Sequence, residues 1–162
     1  MSKYLVLVTG FSSAAIQVIF LREYLTIFSG NELTIGMVFA LWLLFSAIGS
    51  RVGKSVSWPP LKTLNLLYVI SVLIGFSLAR ATRLFFLPGE MISPWIIPLI
   101  IGITQSDAAF FGGLVYGKIA TQQTGQSLYR FENLGSLFGL IAITIGILLQ
   151  CPNGILLGMV LS

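Results

Sequence analysis

Long uninterrupted apolar segments dominate this chain. The sequence of 162 residues contains five such segments of helix length, at about 4–28, 33–50, 64–79, 92–119 and 134–149. Crossing a bilayer takes about 20 apolar residues in a helix, whereas a transmembrane barrel strand is shorter and alternates in hydrophobicity. The segments therefore predict an all-α, polytopic helix bundle in a single domain, 1–162. The apolar tail 155–162 is too short to span and is expected to be a capping segment or part of a sixth helix.

The amino-acid composition narrows the class of protein further. Hydrophobic residues make up 56% of the chain and charged residues 9%, whereas charged residues form about a quarter of a typical soluble protein. We expect contacts with membrane lipids, none with nucleic acid, and no soluble domain. The chain has no histidine and one cysteine, Cys151, which excludes imidazole chemistry, bis-histidine haem and an intrachain disulfide. No cofactor, metal or catalytic residue is predicted.

Lysine and arginine concentrate on one side of the predicted bundle. With the N-terminus inside, the basic residues of the inner segments are Lys3, Arg51, Lys54, Lys62, Lys118 and Arg130. Arg80 and Arg83 fall outside, and Arg22 lies near the outer end of the first segment. The excess predicts an inner-membrane protein with a cytoplasmic N-terminus. The first segment also loosely resembles a secretory signal peptide, but its apolar run continues past Ala15, which favours an uncleaved span.

Glycines recur at a spacing that permits close helix packing. The stretch GSRVGKS, 49–55, is one residue too short to be a phosphate-binding loop. A small residue at every fourth position instead lets two helix backbones approach each other in lipid. This spacing occurs in three pairs: Gly49 with Gly53, Gly113 with Gly117, and Gly135 with Gly139.

The first segment carries a polar stripe. Thr9, Ser13, Gln17 and Tyr24 lie within about 80° of one another on a helix. Such a stripe should face protein or water rather than lipid. It predicts either hydrogen bonds between helices or one wall of a polar cavity.

Arg22 and Glu23 lie near the outer end of the same segment. Adjacent helical residues diverge by about 100°, so we expect these two side chains not to pair with each other. Both could anchor the helix at the membrane interface. The alternative is a contact that positions an outer loop.

A polar cluster lies near the middle of the fourth segment. It consists of Thr104, Gln105, Ser106 and Asp107. Because a carboxyl in the middle of a membrane costs about 2.5 to 3.5 kcal/mol, Asp107 should face the bundle interior and find a partner. Gln17 and Ser46 are the partners expected at matching depth.

Four blocks of the sequence resemble one known family. The blocks GFSSAAIQVIFLREYLTIFSGNE, LLFSAIGSRVG, PLIIG and LYRFENLGSLFG are similar in order and spacing to the membrane domain of spermidine synthase-like proteins. The resemblance implies roles for these residues: Arg22 in the first helix, Gly30 in its turn, Gly49 and Ser50 at the second helix end, and Tyr129, Asn133, Leu134 and Gly135 in the last motif. Gln17 and Ser106 depart from the common family pattern, which often has a glutamate and a second proline there.

Members of that family often continue into a cytosolic aminopropyltransferase domain with a nucleotide-type glycine-rich loop. This sequence has no such loop after a strand and no βαβ unit. The resemblance therefore implies a membrane module without its enzyme, acting as a subunit or anchor beside other membrane subunits or a separate soluble domain. The alternative is a small transport or channel module with a cavity around Asp107, Gln105, Thr104 and Gln17.

Overall fold

Helices account for nearly all of the structure. The computed structural model describes residues 3–30, 32–56, 59–86, 92–93, 95–122 and 125–161, and within these ranges it contains no strand. The helices are α1 Lys3–Ile27, α2 Glu32–Ser55, α3 Leu61–Thr82, α4 Ile96–Ala120, α5 Gly125–Leu148 and α6 Asn153–Leu161. The first five are long and apolar enough to cross a membrane. The predicted all-α polytopic architecture is confirmed.

The observed helices differ from the predicted apolar segments mainly where a helix begins or ends with polar residues. α5 begins at Gly125 rather than near 134, and α3 extends past its predicted segment at both ends. Hydropathy detects only the part of a helix that lies in lipid, so polar first and last turns escape it. α4 begins later than expected, since 92–93 are not helical. Most of the apolar tail forms α6, which packs against α1.

Glycines join α2 and α4 by direct backbone contact. A side chain at any of four glycines would collide with the facing backbone, and the pairs are Gly49 with Phe110, Gly53 with Leu114, Gly113 with Ser46 and Gly117 with Ser50. Residue numbers rise together along both helices, so α2 and α4 run parallel. The contact is reciprocal, because each helix offers its small residues to the backbone of the other.

A second parallel pair forms in the same way between α1 and α5. The contacts are Gly10 with Glu132, Gly135 with Leu7 and Gly139 with Phe11. α3 instead runs antiparallel to α4, because Gly75 meets Thr104 while Tyr68 meets Gly112. The bundle thus consists of two glycine-packed parallel pairs, with α3 lying against α4.

An aromatic cluster connects α1 to α2 and α3. The Phe20 ring centroid lies 5.9 Å from that of Tyr24, 6.4 Å from that of Trp42 and 6.1 Å from that of Phe76. Aromatic pairs at these separations add to the packing energy of the core. Below this cluster, on the side of the α1 N-terminus, the two parallel pairs separate enough to leave a cavity.

The turn after α1 depends on a left-handed backbone. Ser29 and Gly30 have φ values of 55° and 75°, and the Gly30 N–H donates to the Leu25 carbonyl at 2.8 Å. This hydrogen bond closes the end of the helix, and a left-handed φ favours glycine. Gly30 therefore lies in the turn that follows α1.

Candidate functional site

A cavity of about 660 Å³ lies between the two parallel helix pairs. Five helices line it, and its polar lining residues are Thr9, Ser13, Gln17, Ser46, Ser50, Tyr68, Tyr116, Glu132 and Ser136. Its volume is in the range of small-molecule sites in proteins. The cavity occupies the half of the bundle that contains the N-terminus of α1.

Part of the predicted polar stripe of α1 forms one wall of this cavity. Thr9, Ser13 and Gln17 line it, whereas Tyr24 does not. Tyr24 lies further along α1, where its hydroxyl is 2.5 Å from the Thr104 hydroxyl. The stripe is thus divided between a cavity and a bond between helices.

Several cavity hydroxyls already donate their proton to the backbone. Thr9 Oγ1 donates to the Leu5 carbonyl at 2.8 Å, and Ser46 Oγ donates to the Ala109 carbonyl at 3.2 Å. Ser136 Oγ donates to the Gly10 carbonyl at 3.3 Å. A hydroxyl that has donated its single proton retains only lone pairs. These three groups can therefore only accept from a molecule in the cavity.

The lining also contains an acid, Glu132, and a buried phenol, Tyr68. Glu132 is half-buried, and its carboxyl interacts with the Tyr116 hydroxyl. The Tyr68 side chain is 7% exposed, and its hydroxyl has no hydrogen-bond partner among the described residues. A buried polar atom without a partner is destabilising. Hydropathy and the family resemblance singled out neither residue, because Glu132 lies outside the apolar segments and Tyr68 is a lone phenol in one.

The polar cluster of α4 divides among different environments. Thr104 and Gln105 are buried away from the cavity, and Gln105 Nε2 donates to the Val38 carbonyl at 2.9 Å. Thr104 also donates to the Ile100 carbonyl at 2.8 Å. The expected cavity around Asp107, Gln105 and Thr104 is therefore not what the structure shows.

Asp107 faces outward. Its side chain is exposed near the middle of α4, and it takes part in neither ion pair between described residues, both of which involve Glu23. The prediction that Asp107 contacts Gln17 or Ser46 is wrong. The side of α4 that contacts Ser46 of α2 carries Ala109 and Gly113, and Asp107 lies on a different side of the helix. An outward-facing carboxyl near the middle of an apolar helix therefore needs an explanation other than a contact inside the bundle.

Glu23 is the centre of a buried ionic cluster at the other end of the bundle. Glu23 Oε1 lies 2.8 Å from an Arg83 guanidinium nitrogen and 3.4 Å from Arg80 Nε. Its Oε2 accepts from Asn153 Nδ2 at 2.7 Å. Glu23 is fully buried, so an interfacial anchor is the wrong role for it. It holds the end of α3 and the start of α6 against α1.

Arg22 points elsewhere and donates to the Cys151 carbonyl at 3.2 Å. The two adjacent residues thus do not pair with each other, as expected from their divergence on the helix. Of the other residues that carry the family resemblance, Tyr129 and Asn133 are exposed on α5, whereas Gly135 is buried against α1.

Comparison of the chain with protein-family models, with curated proteins and with solved structures finds no match. Functional conclusions therefore rest on the geometry. The geometry offers two distinct features: a polar cavity between the two helix pairs and an outward carboxyl on α4.

Proposed function

We propose that this chain is a membrane-integral subunit that assembles with a second transmembrane protein through the outer face of α4. The observation that supports the proposal is the exposed Asp107 near the middle of that helix. Helix rise puts it about 16 Å from the start of α4, close to the centre of the span. A carboxyl left there in lipid costs about 2.5 to 3.5 kcal/mol, which a covering partner would offset.

The neighbours of Asp107 suit a helix as the partner. Leu99 and Ile103 are exposed at four-residue spacing on the same face of α4 as Asp107, so the three side chains form one outward stripe. A second helix that packs along this stripe could bring a polar side chain to the carboxyl. The partner we propose is a transmembrane helix with an arginine, a lysine or a neutral hydrogen-bond donor at matching depth.

The resemblance to the membrane domain of spermidine synthase-like proteins suits a module of this kind. We propose an inner-membrane location with a cytoplasmic N-terminus, beside other subunits or a separate soluble domain. We also propose that the chain itself transfers no aminopropyl group, because no segment supplies a glycine-rich loop at a strand-to-helix turn. Micromolar binding of decarboxylated S-adenosylmethionine to the pure protein would contradict this.

Purification in mild detergent tests the assembly. We expect a stoichiometric partner that is retained by wild type and by Glu32→Leu, which removes an exposed carboxyl at the start of α2, and lost in Asp107→Leu. Replacing the basic or donor residue of the partner should cause the same loss. Thermal unfolding of the unassembled Asp107→Leu chain should match wild type, since no ion pair joins Asp107 to another described residue.

Two results would contradict the proposal. One is a partner that Asp107→Leu retains in full. The other is a second copy in place of a different protein, which disulfide crosslinking of Ile103→Cys in a Cys151→Ser background would reveal. Ile103 is exposed one turn from Asp107, and Cys151 is the only native thiol.

A further inference from the structure

We propose that the cavity between the two helix pairs binds a small organic cation with a single ammonium group and a short apolar body. This site is independent of the assembly surface on α4, because Asp107 does not line it. Charge, hydrogen-bonding capacity and aromatic lining all favour this chemistry.

The charge of the lining has one sign. Glu132 contributes a carboxyl, and no lysine or arginine is among the described residues that line the cavity. The chain has no histidine. An anionic ligand would meet an acid without a compensating base, whereas a cation gains a charge-assisted hydrogen bond.

Three hydroxyls and the Glu132 carboxylate of the lining supply acceptors to the cavity. Thr9, Ser46 and Ser136 have given their protons to backbone carbonyls and offer only lone pairs. An ammonium has three donors and no acceptor. Glu132 and the hydroxyls could therefore satisfy all three donors together. The Tyr68 hydroxyl, which has no hydrogen-bond partner in the described part of the chain, is a further group that a ligand can satisfy.

Aromatic rings complete the lining. Phe39, Trp42, Tyr68 and Tyr116 all contribute to it. Aromatic faces attract cations, and desolvation strengthens the attraction. The same rings and the neighbouring Val18, Leu43 and Leu140 can pack against an apolar body.

The single carboxyl limits the charge of the ligand. The other acids among the described residues do not line the cavity: Glu23 is paired with two arginines, Asp107 faces outward, and Glu32 is exposed at the start of α2. A second ammonium inside the cavity would have no counter-charge, and an unpaired buried charge is strongly unfavourable. We therefore expect a monoamine to bind more tightly than a diamine of similar size.

Trp42 supplies a spectroscopic probe in the cavity wall. With Trp58→Phe and Trp95→Phe it becomes the only tryptophan, since the chain has three. The full chain is placed in nanodiscs of neutral phospholipid and titrated with 2-phenylethylamine at pH 7. Matched titrations use the uncharged 2-phenylethanol and the doubly charged p-xylylenediamine.

We expect a saturable change in Trp42 fluorescence with the monoamine. Replacing Glu132 by glutamine should weaken binding about tenfold or more, as expected for loss of a charge-assisted bond. Glu32→Gln makes the same chemical change outside the cavity and should leave the affinity unchanged. If 2-phenylethanol or the diamine binds as tightly as the monoamine, or if Glu132→Gln binds like wild type, the proposal is wrong.

A second variant covers the case in which Glu132→Gln does not fold. Ala47 is exposed at the cavity wall, so Ala47→Phe should fill the space while leaving the carboxyl in place. Saturable binding that persists in this variant would contradict the proposed site. Loss of binding in Ala47→Phe, with an unchanged melting temperature, supports it.

Discussion

Replacing Glu23 by glutamine should destabilise the bundle more than any other single loss of charge among its described residues. The change keeps the shape of the side chain and one oxygen for Asn153. It places a neutral amide where Oε1 now faces both Arg80 and Arg83. Two guanidinium groups would then converge on a site without a negative charge.

The expected loss of unfolding free energy in Glu23→Gln depends on how deeply the ionic cluster is buried. Removing one partner of a buried ion pair costs about 3 to 5 kcal/mol, whereas an exposed pair contributes less than about 1 kcal/mol. Glu23 is fully buried, but the Arg80 and Arg83 side chains are 51% and 41% exposed. Water can therefore solvate the two arginines in the variant. We expect a loss of about 2 kcal/mol in unfolding free energy, between the two limits.

Equilibrium unfolding in mixed detergent micelles measures this loss, with Glu32→Gln as the control. The exposed Glu32 should change stability by less than about 0.5 kcal/mol. A double-mutant cycle with Arg83→Gln should show positive coupling, because the Arg83 contact at 2.8 Å is the shorter of the two. If Glu23→Gln unfolds like Glu32→Gln, the buried cluster does not hold α3 and α6 in place.

Three further outcomes are expected. Gly113→Ala should lower the melting temperature by forcing α2 and α4 apart, whereas Gly102→Ala, which meets open space, should be neutral; equal effects would contradict the backbone contact. Gly30→Ala should cost about 1 kcal/mol in unfolding free energy because of the left-handed φ at that position, and a neutral result would show that the turn adjusts. Cysteines at Ser55 and Gln122, in a Cys151→Ser background, should label from the cytoplasmic side, and labelling of both from the periplasm would invert the proposed orientation.

The helices were predictable, but the direction in which each faces was not. Continuous apolar runs identify five spans because only a helix satisfies its own backbone in lipid. The lipid and the protein interior are equally apolar, so hydrophobicity does not reveal which side of a span is buried. This is why Asp107, predicted to face inward, lies on the outer face of α4.

The sequence also did not reveal which side chains distant along the chain contact each other. Glu23 meets Arg80, Arg83 and Asn153, none of which lies near it in the sequence. With the proposed cytoplasmic N-terminus, Arg80 and Arg83 would lie on the side that the positive-inside rule disfavours, and their pairing with a buried acid gives a reason for that placement. Glycine spacing identified surfaces for close packing, but not which helix would occupy each.

The ribosome synthesises α1 before the helices that pack against it. Its parallel partner α5, and Asn153 of α6, are both synthesised more than a hundred residues later. At about 5 to 20 residues per second, Gly10 would remain uncovered for on the order of 6 to 25 s, and Glu23 would lack Arg80 and Arg83 for roughly half that time. During that interval α1 exposes a small-residue surface and a carboxyl to whatever lies beside it in the membrane. Any association that this surface makes in that interval must be reversible, because α5 occupies the same surface in the folded bundle.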